Sequence, residues 1–237
     1  MRIPNRAFPN VLCEAMISRL PRWVWSGAWA LAFVAGMVNV VGLLGFERQA
    51  ITHLTGTTSM LAAAIAAWDG PMALHFAAVI GSFVFGTVLS GFLIQDSTLQ
   101  LGRRYGVALI IESVMLSVAV PLLNHDSKLG IYSAACACGL QNAMVSTYSG
   151  AVIRTTHLSG MFTDLGIFLG HAIRGLPVDP RRLKLCILII SAYLCGGIAG
   201  ATAFRKLGNS SLFIPGALIA ATASGYALYR LRSRRSA

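Results

Sequence analysis

The stretch "ITHLTGTT", residues 51–58, and the later stretch "RTTHLSGMF", residues 154–162, share the pattern Thr-His-Leu-(Thr/Ser)-Gly. Both stretches adjoin long apolar segments, where an imidazole and a run of hydroxyl groups are expensive to bury without partners. Glycine permits a break in a helix, and threonine or serine can cap the start of the next helix. The repeated pattern therefore predicts two helices that are broken or begin inside an apolar environment.

The composition indicates a membrane protein. Of the 237 residues, 56% are hydrophobic and 11% are charged, and the mean hydropathy is +0.69. A soluble domain carries about 25% charged residues. The 19 Lys and Arg residues outnumber the 8 Asp and Glu residues, but they lie between apolar segments and at the chain ends. This placement is typical of membrane topology, so we expect the lipid bilayer as a partner and no nucleic acid.

The five cysteines do not suggest a metal site. Four of them lie in apolar segments, and none stands in a C-x-x-C pair or a Cys/His cluster with zinc spacing. We expect them to be small apolar residues in packed helices. The sequence therefore predicts no metal and no cofactor.

Charged residues divide the chain into eight apolar segments. We expect each segment to be helical, because lipid offers no water to unpaired backbone groups. The predicted fold class is all-α, a polytopic helical membrane protein with six full spans plus two short or broken motif helices. The segments are 23–46, 49–68, 70–95, 105–124, 129–153, 155–172, 185–204 and 207–229.

The second and sixth segments hold the motif, and the sequence leaves open whether they cross the membrane or dip in and return. If all eight cross, 13 of the 19 Lys and Arg residues lie inside; if two re-enter, 15 do. Both arrangements obey the positive-inside rule and place both basic termini in the cytoplasm. The difference of two charges does not decide between them.

Other features repeat in the same order as the motif. "GMVN" at 36–39 matches "GLQN" at 139–142, and Gly86-x-x-x-Ser90 matches Gly196-x-x-x-Gly200. Small residues at this spacing are typical of close helix packing. Because three features recur in the same order, the sequence predicts an internal duplication, which is common in transporters. The predicted domains are a basic cytoplasmic arm (1–22), a first membrane repeat (23–124), a second membrane repeat (129–230) and a basic tail (231–237).

The motif residues are the candidates for binding a substrate. A helix that begins within the membrane directs free N–H groups and the positive end of its dipole at its surroundings, which suits an anion or a polar solute. The alternative is that the histidines are interfacial residues at a turn, and that the two asparagines join helices instead of contacting a substrate. The substrate-binding candidates are Asn39, His53, Thr55, Thr57, Asn142, His157 and Ser159.

Two carboxylates lie well inside apolar segments. Acidic residues within a membrane are costly and are candidates for proton coupling. We prefer Asp164 over Glu112, because Asp164 lies seven residues after His157 and two helical turns can place both on one face. A salt bridge of Asp164 with Arg154, Arg174 or a motif histidine is the alternative.

One long stretch resembles a known family. "GLQNAMVSTYSGAVIRTTHLSGMFTDLGIFLG", residues 139–170, resembles the hallmark stretch of the YoaK family of uncharacterised bacterial inner-membrane proteins. In that family the equivalent of "HLTGTT" usually reads Met/Leu-Thr-Gly-Asn-Thr, and here Thr57 replaces the asparagine. The resemblance extends over about residues 23–230. It implies a helical protein of about six spans in a bacterial plasma membrane, and no established substrate.

Together these features predict a secondary transporter or permease for a small polar or anionic solute, with possible coupling to protons. The sequence contains no P-loop, G-x-S-x-G, H-E-x-x-H or G-x-G-x-x-G motif, so we do not expect an enzyme. The alternatives are a membrane scaffold or assembly protein without transport and, less favoured, an intramembrane enzyme. A central polar cavity would favour transport, and an apolar groove open to lipid would favour a scaffold.

Overall fold

A computed structural model describes residues 22–45, 51–94, 103–149 and 155–235. Residues 1–21 of the basic arm, Arg154 and the last two residues lie outside these ranges. The described chain is helical with no strand, which confirms the predicted all-α class. Its α-helices are α1 (Arg22–Leu44), α2 (Leu54–Ala66), α3 (Gly70–Leu93), α4 (Arg103–Asn124), α5 (Leu129–Ser149), α6 (Leu158–Ile173), α7 (Pro180–Leu207) and α8 (Phe213–Arg235).

The lengths of the helices match the predicted division into long and short segments. The motif helices α2 and α6 have 13 and 16 residues, too few to cross about 30 Å of hydrocarbon. Among the described residues, four apolar stretches are long and apolar enough to cross a membrane, and the last contains α7 and most of α8. They are Val24–Leu44, Gly70–Leu93, Arg104–Asn124 and Pro180–Leu228.

The main difference from the predicted bounds is the start of α7, which begins at Pro180 instead of residue 185. The Asp179 side chain accepts a hydrogen bond from the Arg181 amide at 2.8 Å, and proline fits the first turn of a helix. The basic residues that divided the sequence therefore lie in the first turns of α7 and do not end it.

Helices α1 and α7 cross at direct backbone contact. A Cβ on Gly36 would collide with the Tyr193 carbonyl, and a Cβ on Gly196 would collide with the Phe33 carbonyl. Along the crossing, Phe33 pairs with Gly196 and Met37 with Gly200. Both helices therefore run in the same direction, and the small residues allow the close packing that the sequence predicts.

Helices α3 and α5 cross in the same way. A Cβ on Gly86 would collide with the Cys136 carbonyl, and a Cβ on Gly139 would collide with the Phe83 carbonyl. These glycines are the matched partners of Gly196 and Gly36 in the predicted repeats. Earlier in both helices, His75 Nδ1 hydrogen-bonds the Tyr132 hydroxyl at 3.0 Å, so α3 and α5 are also parallel.

The ends of three helices define one end of the molecule. Gly45, which follows α1, lies beside Asn209, and Asn124 at the end of α4 hydrogen-bonds Ser210 at 3.5 Å. Since Ser210 follows α7, helices α1, α4 and α7 all end here, which we call the upper end. Helix α5 starts here and runs towards the opposite, lower end, and α3 is parallel to α5.

The course of the chain around α2 follows from these directions. Helix α1 ends at the upper end and α3 begins there, so α2 and the turn before it enter and leave from that same end. Helix α6 does the same from the lower end, between the end of α5 and the start of α7. Six of the described helices thus run between the two ends, whereas α2 and α6 each enter and leave at one end, and in this sense we call them re-entrant. We expect the six long helices to be the ones that cross the membrane.

Two neighbouring glycines on α3 test the backbone contact. We expect Gly86→Ala to lower the free energy of unfolding by about 1–3 kcal/mol, because the new Cβ meets the backbone of α5. Gly81→Ala is the matched control, since its Cβ would meet open space. Thermal unfolding of the purified protein in detergent measures both variants. Equal stability of the two would contradict the contact.

The re-entrant topology predicts which loops share a side. Cysteines placed at Ser127 and Asn209 should react with a membrane-impermeant thiol reagent from one side, and a cysteine at Leu176 from the other. Eight crossings would instead put positions 127 and 209 on opposite sides. Labelling of intact cells and inverted vesicles, with each modified peptide identified by mass spectrometry, distinguishes the two arrangements.

Candidate functional site

Each motif histidine stands at the start of a re-entrant helix. His53 is the N-cap residue of α2 and His157 that of α6, with similar backbone angles of φ −109°, ψ 75° and φ −91°, ψ 60°. Neither side chain makes a capping hydrogen bond. The first amides of a helix have no acceptor within it, so both helix starts direct N–H groups outward.

The expected side-chain caps differ from those in the structure. Thr55, Thr57 and Ser159 lie inside the first turns of the helices, because each helix begins at the leucine directly after its histidine. The Ser59 and Thr163 hydroxyls bond the Thr55 and Ser159 carbonyls at 3.1 and 2.9 Å. Some hydroxyl groups of these stretches thus have hydrogen-bond acceptors within their own helix.

The asparagines of the repeated "GMVN" and "GLQN" hold the motif turns in place. Asn39 Oδ1 accepts hydrogen bonds from the Thr52 amide at 3.1 Å and the Thr52 hydroxyl at 2.8 Å. In the second half, Asn142 Oδ1 accepts one from the Thr156 hydroxyl at 3.1 Å. Each asparagine therefore joins a long helix to the turn before a re-entrant helix.

Both helix starts border one cavity of about 250 Å³. His53 and His157 both line it, although they are about a hundred residues apart in the chain. Hydroxyl, amide and imidazole groups predominate in its wall, and no carboxylate lies among the described residues there. The cavity is lined by Thr52, His53, Leu54, Thr55, Phe83, Asn142, Ser146, Thr156, His157 and Ser159.

Of the substrate-binding candidates, five line the cavity and two do not. His53, Thr55, Asn142, His157 and Ser159 are in its wall. Asn39 lies behind the wall, where it holds Thr52. Thr57 is 1% exposed and faces the protein interior.

The two carboxylate candidates lie away from the cavity wall. Asp164 is half-buried on the side of α6 towards α7, one helical turn before Phe168, whose ring contacts the Arg182 guanidinium of α7. Glu112 is 1% exposed within α4, near Cys138 of α5, and its Oε2 has no hydrogen-bond partner in the part of the chain that the structure describes. Among the described residues, no three His, Cys, Asp or Glu side chains form a group that could hold a metal.

The two halves of the site differ in their histidine environments. The imidazole of His157 lies over Gly160, where a Cβ would collide with the ring. The matched Gly56 has open space at its Cβ position, so His53 is not packed in this way. The second imidazole is therefore held more tightly against its own helix.

Several lining residues are absent from the predicted site. Ser146 follows Asn142 by four residues, one helical turn, so helical spacing from a known candidate would have indicated it. Phe83 and the nearby Tyr193 lie three residues before the crossing glycines Gly86 and Gly196. Their position near the motif depends on helix crossings that the sequence pattern does not specify.

The family comparison covers the same helices. A family model described as protein of unknown function (DUF1275) matches residues 27–225, a range that includes both motifs and every residue lining the cavity. No curated protein and no solved structure gives a significant match to the chain. The YoaK resemblance agrees with an uncharacterised family, and that name itself stays a prediction. Since this family model matches most of the chain, the protein belongs to the DUF1275 family.

Proposed function

We propose that the protein is a transporter or permease for a small polar or anionic solute, which binds between the starts of α2 and α6. The observation that carries this proposal is the convergence of two re-entrant helix starts, each with a histidine, on one polar cavity. A scaffold has no need of such a cavity within its helices. The absence of enzymatic activity stays a prediction.

The chemistry of the wall favours an anion. Two helix starts contribute partial positive charge, and hydroxyl and imidazole groups can donate hydrogen bonds to the same ligand. The described wall has no carboxylate to repel it. A volume of about 250 Å³ is below the roughly 300–1,000 Å³ of pockets for drug-sized molecules, so the solute is small.

The basic residues support an orientation in the membrane. With six crossings, 15 of the 19 Lys and Arg residues fall at the lower end or in the terminal segments that adjoin it. The positive-inside rule then puts the lower end and both termini in the cytoplasm. We infer a bacterial plasma membrane as the location, as the YoaK resemblance implies.

Histidine variants test the binding site. We expect His53→Ala and His157→Ala each to weaken anion binding by about 1–2 kcal/mol, roughly five- to thirtyfold, because each removes a hydrogen-bond donor from the cavity. His171→Ala, an exposed residue at the far end of α6, is the matched control and should bind normally. The measurements are calorimetric binding and proteoliposome uptake of nitrate, formate, acetate and phosphate. Folded wild-type protein that neither binds nor transports any small anion or polar metabolite would contradict the proposal.

Proton coupling is the finer part of the proposal, with Asp164 as the first candidate and Glu112 as the second. Asp164 is two helical turns from His157, so a change of its charge can act on the cavity along one short helix. We expect Asp164→Asn to abolish the dependence of uptake on a pH gradient and to preserve exchange of bound solute. Unchanged pH dependence in Asp164→Asn, with a loss in Glu112→Gln, would transfer the role to Glu112.

A further inference from the structure

The two helix crossings contribute unequally to the cavity wall. Helices α3 and α5 contribute Phe83, Asn142 and Ser146 to its wall, whereas the described parts of α1 and α7 contribute no lining residue. Ser146 lies one helical turn beyond Asn142 towards the lower end of α5. The wall of the cavity therefore extends along α5 towards the lower end.

A pair of matched aromatic residues accompanies this difference. Tyr193 of α7 and Phe83 of α3 each precede a crossing glycine by three residues, and each places its carbonyl against a glycine of the partner helix. The two residues differ by one hydroxyl group. Phe83 lines the cavity, and Tyr193 does not.

The Tyr193 hydroxyl forms a bond that has no counterpart at Phe83. It lies 3.2 Å from the Thr52 hydroxyl, which donates its own hydrogen to Asn39 Oδ1. Thr52 therefore accepts from Tyr193, and a chain of two hydrogen bonds links α7, the first motif turn and α1. Phenylalanine cannot make the equivalent bond to the matched Thr156.

We propose that the Tyr193 hydroxyl is a latch that holds the cavity closed towards the upper end, and that the protein also adopts a conformation in which the cavity opens to that end. The inference rests on the proposed function, since transport requires access from both ends. Near-equivalent halves give two such conformations similar energies, so one hydrogen bond is enough to bias the equilibrium. The residues of the cavity wall indicate the class of solute, whereas the hydrogen bond of Tyr193 indicates which end of the cavity is closed.

Accessibility of one cavity residue from each side tests the latch. Ser159→Cys places a thiol in the cavity wall, and a membrane-impermeant reagent reaches it from whichever end is open. In the protein that carries only Ser159→Cys, we expect the reagent to label residue 159 mainly from the lower end. Adding Tyr193→Phe should raise the rate of labelling from the upper end by about two- to tenfold, the effect of losing one hydrogen bond.

A second variant makes the same test by adding a bond. Phe83→Tyr supplies a hydroxyl that can bond Thr156 and close the lower end, so it should also raise labelling from the upper end. Tyr132→Phe is the matched control, because it loses a hydroxyl bonded to His75, away from the cavity wall, and should change nothing. Mass spectrometry of the peptide around residue 159 separates this signal from the native cysteines.

The outcomes distinguish the latch from the transport proposal. Labelling requires no solute, so it reports the opening even if no transported anion is found. Unchanged upper-end labelling in both Tyr193→Phe and Phe83→Tyr, with lower-end labelling intact, would overturn the latch. Failure of flux together with the predicted labelling changes would instead count against transport.

Discussion

Direct backbone contact at two helix crossings determines the arrangement of the whole protein. Four glycines allow α1 to touch α7 and α3 to touch α5, with no space for a Cβ at either crossing. Each crossing joins a helix of the first half to a helix of the second, so the halves interlock instead of packing side by side. This interlocking brings the two motif turns, distant in sequence, to the wall of one cavity.

The polar residues of the motif divide into two roles that their sequence positions do not separate. Asn39 uses its hydrogen bonds to position a turn, and His53 and Thr55 line the cavity, whereas Thr52 does both. In the second half Asn142 has both roles, because it holds Thr156 and also reaches the cavity. An asparagine of this motif can therefore both hold a turn and contact a solute in the cavity, as Asn142 is placed to do.

The repeated motif and the apolar segments were sufficient to predict the helices, the short length of two of them and five of the ten residues that line the cavity. The hydrophobic pattern placed the start of α7 after three basic residues. In the structure Asp179 caps the helix before those residues, so they lie in its first turns. Seven-residue spacing placed Asp164 on the same side of α6 as His157, but Asp164 does not reach the cavity wall. Phe83, Ser146 and Tyr193 depend on which helices cross and at what depth, which is a property of tertiary packing.

Helix α5 is surrounded by other helices, and every residue from Ala134 to Gln141 is buried. It carries Gln141 and Asn142 side by side and is absent from the stretches apolar enough to cross a membrane by composition. The transfer of such a segment from the translocon into lipid lowers its free energy less than the transfer of the more apolar helices does. We therefore expect its insertion to depend on helices already in the bilayer, and α3 and α4, which precede it in the chain and pack against it, are the candidates.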